Sequence, residues 1–345
     1  MSTTYDALLI LSFGGPERRQ DVIPFLENVL RGRNVPRERM LAVAEHYYLF
    51  RGRSPINDNN RALIAALKTE FAAHRIDLPI YWGNRNWHPL LADTLRTMAR
   101  DGVRRALAFV TSAYSSYSSC RQYLDDIVRA RAEVGPAVPE VHKLRVFYNH
   151  PGFIEPMIEN VGKALARFPA EERAAVPLVF TAHSIPVSMA RTSRYVEQLE
   201  EACRLVAAGA GRSGGTLVYQ SRSGPPSQPW LEPDICDHLR AIHEAGVRQV
   251  VVMPVGFVSD HMETLYDLDT EAKELCDRLG LRMERAPAVG NHPKFVSMIR
   301  ELVIERFDEK RERRFLGELG PRPDVCAEDC CPRPQRPGAG PPGRR

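Results

Sequence analysis

The chain has 345 residues, of which 43% are hydrophobic and 26% are charged, an ordinary composition for a folded soluble protein. Its formal net charge of +4 is too weakly basic to predict nucleic-acid binding, and no long run of Lys and Arg occurs. The N-terminal "MSTTYDALLILSFGG" lacks the basic start of a signal peptide, and no apolar run approaches the roughly 20 residues that span a bilayer. We therefore expect a cytoplasmic protein without a transmembrane segment.

Short apolar runs alternate along the chain with amphipathic stretches of helical length. The apolar runs predict strands at 7–13, 78–84, 105–113, 144–150, 177–184, 216–223, 249–258 and 281–289. The stretches between them predict helices at about 17–31, 59–74, 88–101, 118–133, 152–167, 193–209, 232–245, 262–279 and 292–309. Because the strands are apolar almost throughout, we expect them to be buried on both faces and to pair in parallel.

This alternation predicts an α/β fold, and eight strands fit two Rossmann-like domains, each a parallel sheet flanked by helices, better than one sheet. We place the domains at 1–150 and 151–315, and the Pro- and Gly-rich composition of 316–345 predicts a flexible tail. Such sheets bind ligands beyond the carboxyl ends of their strands. No G-x-G-x-x-G follows the first strand and no P-loop motif occurs, so neither a dinucleotide site nor a P-loop is supported.

Candidate metal ligands follow two of the predicted strands. His183 ends the strand in "VFTAHSIP", where it is either a hydrogen-bonded structural residue or a group that accepts a proton or binds a metal. The later stretch "SDHMETLYDLDTEA" is unusually acidic, and capping of a helix N-terminus explains only Asp260 and Glu263. Glu263, Asp267 and Glu271 recur every four residues on one helix face. This face is either solvated or a path for hard cations.

Two arginine-rich segments, "LRGRNVPRERM" and "LFRGRSPIND", predict an anionic substrate, with a solvated basic surface as the alternative. Arginine suits the bidentate binding of carboxylates. The two segments contain Arg31, Arg33, Arg37, Arg39, Arg51 and Arg53.

Three of the seven cysteines lie close together near the C-terminus, in "CAEDCCP". The composition of this segment predicts that it forms no packed core. Free thiols in such a segment are open to oxidation unless they bind a ligand. Cys326, Cys330 and Cys331 can therefore supply three ligands to one metal centre, and we expect Cys120, in a polar loop after a strand, to supply the fourth. Four thiolates bind either zinc or an iron–sulfur cluster, and the spacing does not separate the two.

From about residue 5 to residue 310 the chain resembles the ferrochelatases, which insert ferrous iron into a porphyrin. The segments that carry the resemblance occur in family order and are "LLILSFGGP", "RGRSPI", "FVTSAYSSYSSCRQY", "FTAHSIP", "YQSRSGPPSQPWLEP" and "PVGFVSDHMETLYDLDTEA". The resemblance implies two Rossmann-like domains with the porphyrin in the cleft between them. It also implies that His183 and Glu263 form the metal site for the Fe²⁺ substrate. The spacing of the acidic residues fits this chemistry, because Asp267 and Glu271 behind Glu263 can pass iron inward or protons outward.

Further residues match positions with known roles in the family. Ser54 and Tyr123 match porphyrin contacts of the bacterial branch. Phe13 stands where some bacterial members carry a Tyr that ligates the product iron, and it leaves that axial role open. The arrangement of Cys120, Cys326, Cys330 and Cys331 is similar to the set that holds a [2Fe–2S] cluster in some members, with a tail of the actinobacterial kind.

The resemblance to actinobacterial members and the arginines around Arg31 and Arg53 favour coproporphyrin III, which has four propionates, over protoporphyrin IX, which has two. The resemblance further implies handover of the iron product to a downstream coprohaem decarboxylase. The other readings are a protoporphyrin IX ferrochelatase, a cobalt chelatase on the same fold, and a porphyrin carrier without catalytic activity.

Overall fold

The computed structural model describes residues 4–32, 35–224, 227–308 and 310–334. Strands in the first half form one parallel sheet in the order β2-β1-β3-β4, with β1 (Ala7–Ser12), β2 (Ile80–Asn84), β3 (Arg105–Val110) and β4 (Glu140–Lys143). Strands in the second half form another in the order β6-β5-β7-β8, with β5 (Leu178–His183), β6 (Thr216–Gln220), β7 (Gln249–Met253) and β8 (Arg282–Arg285). The two parallel sheets confirm the predicted fold class.

Helices surround both sheets. In the first half they are α1 (Val22–Leu30), α2 (Arg37–Leu49), α3 (Ile56–Ala73), α4 (Leu91–Arg100) and α5 (Gln122–Val134). In the second half they are α6 (Pro151–Leu165), α7 (Val187–Arg191), α8 (Tyr195–Gly209), α9 (Ile235–Glu244), α10 (Met262–Thr264), α11 (Lys273–Leu279) and α12 (Pro293–Phe307). Two π-helical segments, Tyr117–Arg121 and Leu265–Ala272, lead into α5 and α11. None of the described helices is long and apolar enough to cross a membrane.

The strand order of each sheet indicates where a ligand-binding crevice lies. Within each half the chain runs from the central strand to one neighbour and then returns to the other side, so the order reverses between β1 and β3 and again between β5 and β7. At such a reversal the two following loops diverge and leave a crevice at the carboxyl ends of the strands. The crevices therefore lie beside the loops that follow Ser12, Val110, His183 and Met253.

The two halves share a continuous core. Helix α12 packs against α6 and against α3 of the first half. The Tyr114 hydroxyl donates to the Val255 carbonyl at 2.8 Å, and the Ser115 amide donates to Gln198 Oε1 at 2.8 Å. The division at residue 150 stays a prediction, because α12 covers both halves.

The predicted strand at 144–150 is wrong. The strand there is β4, Glu140–Lys143, and its ladder extends by one further bond, from the Leu144 amide to the Ala108 carbonyl at 2.9 Å. Beyond it the chain is irregular but fully buried, with Tyr148 and His150 both 0% exposed. The segment crosses between the two halves and is buried by both of them. Its run of buried residues therefore has the same sequence pattern as a buried strand.

Helix α2 was not predicted from the sequence. It follows Pro36 and buries only Met40 and Ala44, and its apolar residues do not form a continuous stripe along one face. A helix that contacts the body through so few side chains leaves little periodicity to detect.

The predicted flexible tail has packed contacts over 316–334. Leu316 and Asn149 exchange hydrogen bonds, with the Leu316 amide donating to the Asn149 carbonyl at 2.8 Å. The Glu318 amide donates to Glu201 Oε1 at 2.7 Å. Composition predicted no packed core for this segment, and these polar anchors on the body hold it instead. Residues 335–345 lie outside the described part of the chain.

Candidate active site

His183 lies at the carboxyl end of β5, where it pairs with Gln220 of β6. Its Nδ1 is 2.5 Å from the Ser184 carbonyl oxygen. A carbonyl can only accept, so Nδ1 carries the proton and Nε2 presents its lone pair. The Tyr195 hydroxyl donates to the His183 carbonyl at 3.0 Å and holds the backbone. Nε2 is therefore free to take a proton or a metal ion.

Glu263 faces that lone pair from the loop after β7. The distance between His183 Nε2 and Glu263 Oε2 is 3.6 Å, with 33% and 44% of the two side chains exposed. Glu263 sits in the short helix α10, which His261 caps: the His261 amide donates to Thr264 Oγ1 at 2.8 Å, and the Thr264 amide donates back to His261 Nδ1 at 3.4 Å. Two groups far apart in sequence thus meet at the reversal between β5 and β7.

The acidic stretch after Glu263 is π-helical over Leu265–Ala272, where the sequence predicted an α-helix. Such wide turns are rare and concentrate at functional sites. Asp267 accepts a hydrogen bond from Gln220 Nε2 at 3.1 Å and another from the Ser221 hydroxyl. The pKa of Asp267 is raised to about 7, chiefly by burial; the charges of Glu263 and Glu271 also raise it, and the two hydrogen bonds oppose the rise.

Glu271 lies at the outer end of this file. Burial and the nearby Asp234 carboxylate raise the pKa of Glu271. Asp267 therefore feels the charges of both Glu263 and Glu271, and the role of this file in carrying iron or protons stays a prediction.

Two other carboxylates of the acidic stretch face away from the file. Arg285, at the end of β8, binds Asp260 Oδ1 through Nη1 at 2.9 Å. Its Nε and Nη2 bind both oxygens of Asp269. Sequence reasoning missed Arg285, because its partners are 25 and 16 residues away along the chain.

Residues at the first crevice surround a buried arginine. The Arg85 guanidinium lies 4.7 Å from the Tyr123 ring centroid and 5.7 Å from that of Phe13. It pairs with the buried Asp126 at 2.5 Å. Burial raises the pKa of Tyr123, and Arg85 lowers it. Phe13, directly after β1, and Tyr123, on α5, therefore lie on the same arginine.

Ser54 is 4% exposed and lies against the loop that follows β1. Its amide donates to the Pro16 carbonyl at 2.8 Å, and a Cβ on Gly15 would lie 2.8 Å from Ser54 Cβ. This close approach requires glycine at position 15.

The predicted arginines of the two arginine-rich segments lie apart from one another and have different partners. Arg31 donates to Asn28 Oδ1 at 2.5 Å, and Arg53 donates to Asp58 through two nitrogens at 3.1 and 2.6 Å. Arg39 of α2 donates to the Gly224 carbonyl at 3.2 Å. Arg33 lies outside the described residues. Of these side chains, Arg53 already has a carboxylate partner.

Helix α2 closes over the second half. The His46 ring stacks on Tyr266 of the π-helical segment, with centroids 3.7 Å apart and planes at 9°. Burial and then the Glu263 carboxylate raise the pKa of Tyr47. The unpredicted helix α2 therefore lies beside the His183–Glu263 pair.

The four predicted cysteine ligands line one cavity of about 270 Å³. Cys120 is in the π-helical turn before α5, and the tail brings in Cys326, Cys330 and Cys331. Cys330 Sγ and Cys331 Sγ are 3.7 Å apart. Burial, then Cys330, then Cys120 raise the pKa of both other tail thiols, Cys326 and Cys331.

The tail reaches Cys120 through arginine contacts. Arg121 donates to the Glu328 carbonyl at 3.0 Å, and Arg333 donates to the Tyr117 hydroxyl at 2.7 Å. Among residues 4–32, 35–224, 227–308 and 310–334, no three or more His, Cys, Asp or Glu side chains are placed to hold a single metal ion.

Known proteins resemble this chain over most of its length. A model of the family described as Ferrochelatase matches residues 5–307. The chain is 58% identical to a ferrochelatase of Rhodopirellula baltica, over 95% of this chain and 93% of that protein. It is 51% identical to a coproporphyrin III ferrochelatase of Streptomyces coelicolor, over 98% of this chain and 96% of that protein. A coproporphyrin III ferrochelatase of Nocardia farcinica is also 51% identical, over 97% and 98%.

A solved structure with the same architecture is SirB from Bacillus subtilis with Fe³⁺. It aligns with a TM-score of 0.53 at 10% identity, over 89% of this chain and 97% of that one, which shows a shared fold. The match over residues 5–307 and the relatives of nearly equal length show that the chain belongs to the ferrochelatase family.

Proposed function

We propose that this enzyme inserts Fe²⁺ into coproporphyrin III, with His183 and Glu263 as the metal site. The observation that carries the proposal is the 3.6 Å approach of His183 Nε2 to Glu263 at the strand-order reversal, with a file of carboxylates behind it. Two relatives about half identical to this chain over nearly their whole length are named coproporphyrin III ferrochelatases.

The chemistry requires two pyrrole N–H bonds to break while four Fe–N bonds form, with no change in the oxidation state of iron. His183 Nε2 takes the two pyrrole protons one after the other, because its Nδ1–H is already committed to the Ser184 carbonyl. It passes the first proton to the Glu263 carboxylate, 3.6 Å away, and then accepts the second. Glu263 supplies an oxygen ligand that suits Fe²⁺ on its way to the macrocycle. Asp267 and Glu271 continue the path toward the exterior of the second half and carry iron inward or protons outward.

Porphyrin binding falls to the first half in this proposal. We assign Tyr123, Ser54 and Phe13 to the side of the first half that the macrocycle approaches, and Phe13 offers no oxygen to the product iron. Arg31 and Arg53 lie on exposed loops where propionates can reach them. A substrate with four propionates can use more such contacts than one with two, which supports coproporphyrin III over protoporphyrin IX.

An anaerobic Fe²⁺ insertion assay with both porphyrins side by side tests the substrate. We expect turnover of coproporphyrin III to exceed that of protoporphyrin IX by about tenfold or more. Equal turnover, or a preference for protoporphyrin IX, contradicts the substrate assignment, and Co²⁺ insertion into an early corrinoid precursor without Fe²⁺ insertion contradicts the reaction.

Two substitutions test the site. His183→Ala and Glu263→Gln should lower kcat by about 100-fold or more while porphyrin affinity, measured by fluorescence quenching, is retained. Glu274→Gln is the matched control, because this carboxylate on α11 is 65% exposed and forms a long ion pair with Arg278, at 4.0 Å. Near-normal turnover in either site variant contradicts the assignment, and binding of porphyrin without conversion by the wild type indicates a carrier.

We also propose that Cys120, Cys326, Cys330 and Cys331 hold a [2Fe–2S] cluster. The four thiols suit this group because they line one cavity of about 270 Å³, and a binuclear cluster takes two thiolates at each iron. When bound, such a cluster supplies a one-electron redox centre. The residues' own contribution is to tie the tail to Cys120, in the turn before α5 and three residues before Tyr123.

The purified protein should absorb between about 300 and 600 nm and contain equal amounts of labile iron and sulfide. Cys331→Ser should remove the absorbance, and Cys236→Ser, a thiol outside the cavity, should not. Zinc in place of iron and sulfide contradicts the cluster.

The product of this reaction keeps its propionates, so a later enzyme must remove carboxyl groups to reach haem. We propose handover to a cytoplasmic coprohaem decarboxylase. A coupled assay should show the iron product reaching the decarboxylase faster than it reaches a porphyrin-binding trap in solution, and full capture by the trap contradicts handover.

A further inference from the structure

Arg285 binds two carboxylates, one before and one after Glu263 along the chain. Its side chain is 16% exposed, and its guanidinium contacts Asp260 at 2.9 Å and both oxygens of Asp269. Asp260 precedes Glu263 by three residues, and Asp269 follows it by six. The arginine itself stands at the end of β8, which pairs with β7, so the anchor belongs to the rigid sheet.

The segment between these two anchors needs external support. Residues 265–272 are π-helical, a geometry rarely sustained beyond a single turn without outside contacts. Asp269 is two residues from Asp267, so the two carboxylates lie on opposite sides of the helix. One side binds Arg285, and the other contributes to the acidic file. A bidentate arginine–carboxylate pair fixes rotation as well as distance.

The other end is also held from two directions. Asp260 accepts from Asn59 Nδ2 through its carbonyl oxygen at 2.6 Å and binds Arg285 through its carboxylate. Asn59 belongs to α3 of the first half. The Glu263 side chain is 44% exposed, so its direction depends on the backbone between these anchors.

We propose that Arg285 is a positioning residue for metal insertion: by clamping Asp260 and Asp269 it sets the rotation of the π-helical segment that aims Glu263 at His183. The inference rests on the proposed role of the His183–Glu263 pair. It predicts that loss of the clamp slows the chemical step and leaves porphyrin binding on the first half unchanged.

The test compares three variants of the full chain. Arg285→Lys keeps the cation but cannot donate two parallel hydrogen bonds to Asp269. Arg285→Met combined with Asp260→Asn and Asp269→Asn removes the clamp without leaving a partly buried carboxylate unpaired. Arg282→Met is the control, since Arg282 lies on the same strand with 47% of its side chain exposed. Melting temperature, porphyrin affinity and the kcat for Fe²⁺ insertion are measured for each.

Both Arg285 variants should lose about 10- to 100-fold in kcat, with porphyrin Kd within about threefold of the wild type. The control should keep the wild-type kcat. The inference is overturned if either Arg285 variant that melts like the wild type keeps a kcat within about threefold, or if porphyrin affinity falls by the same factor as kcat. If the triple variant melts early, the Arg285→Lys variant decides.

Wild type and His183→Ala in the same assay separate the two levels of the proposal. If the wild type inserts no iron, the proposed function fails. If the wild type is active, His183→Ala is inactive and the Arg285 variants are normal, only the positioning role fails.

Discussion

Replacing Asp267 by Asn should stabilise the protein at neutral pH and above, and the gain should vanish near about pH 4. Burial raises the pKa of Asp267 from the 3.8 of a solvated aspartate to about 7. Between those values the folded protein holds a proton that the unfolded chain has released. Because the folded state binds more protons in this window, the free energy of unfolding falls as pH rises through it.

The magnitude follows from that difference in pKa. At about 1.4 kcal/mol per pH unit, a rise from 3.8 to about 7 costs at most about 4 kcal/mol once the carboxylate is ionised. The neutral amide of the Asp267→Asn variant avoids that cost. Its carbonyl can accept the hydrogen bonds of Gln220 Nε2 and Ser221, and its amide can donate to Gln220 Oε1, which is buried without a partner among the described residues.

Denaturant unfolding of the wild type and Asp267→Asn, between about pH 4 and 8, measures the effect. We expect the variant to gain about 2–4 kcal/mol at about pH 8 and nothing at about pH 4. Glu274→Gln, which removes an exposed carboxylate, should show no such trend. A stability difference that is constant with pH, or that grows toward acid, refutes the reasoning.

Two other substitutions probe the packing, one at a buried ion pair between the halves and one beside His183. Arg145→Met removes one partner of a buried pair with Glu305, whose contacts are 2.7 and 2.9 Å, and should lower the free energy of unfolding by about 3–5 kcal/mol. Adding Glu305→Leu should recover most of that loss in denaturant unfolding, and no recovery contradicts the reasoning. Gly256→Ala would place a Cβ 2.7 Å from Ala182 Cα, next to the site histidine, and should lower kcat by about tenfold or more. Gly162→Ala, which meets nothing within 4 Å, should leave kcat unchanged.

Local periodicity was sufficient for most of the fold. Apolar runs at 7–13 and 249–258 contain β1 and β7, and the two parallel sheets follow from their alternation with helices. Periodicity gave wrong predictions where a segment is buried without being regular, or regular without being buried. The run at 144–150 is buried by both halves and so imitates a strand, whereas α2 buries too little to show its period.

The pairing of His183 with Glu263 could be predicted only through a resemblance to a family. Their 80 positions of separation carry no spacing rule, and the approach of 3.6 Å depends on β5 lying beside β7. The same holds for Arg285, whose two carboxylate partners come from a different loop and a different helix. The residue types of His183, Glu263 and Arg285 can be read from the sequence, but the strand order decides which of them come into contact.

The sequence by itself determined most of the elements, the residue types at the strand ends and the set of four thiols, because these depend on local patterns. Only the tertiary structure decided that the acidic stretch is π-helical, that Asp260 and Asp269 serve Arg285 while Asp267 turns toward Glu263, and that the tail brings its cysteines to Cys120. The physical reason is that propensity and amphipathicity act within about one or two helical turns, whereas these contacts depend on long-range packing that no local pattern encodes.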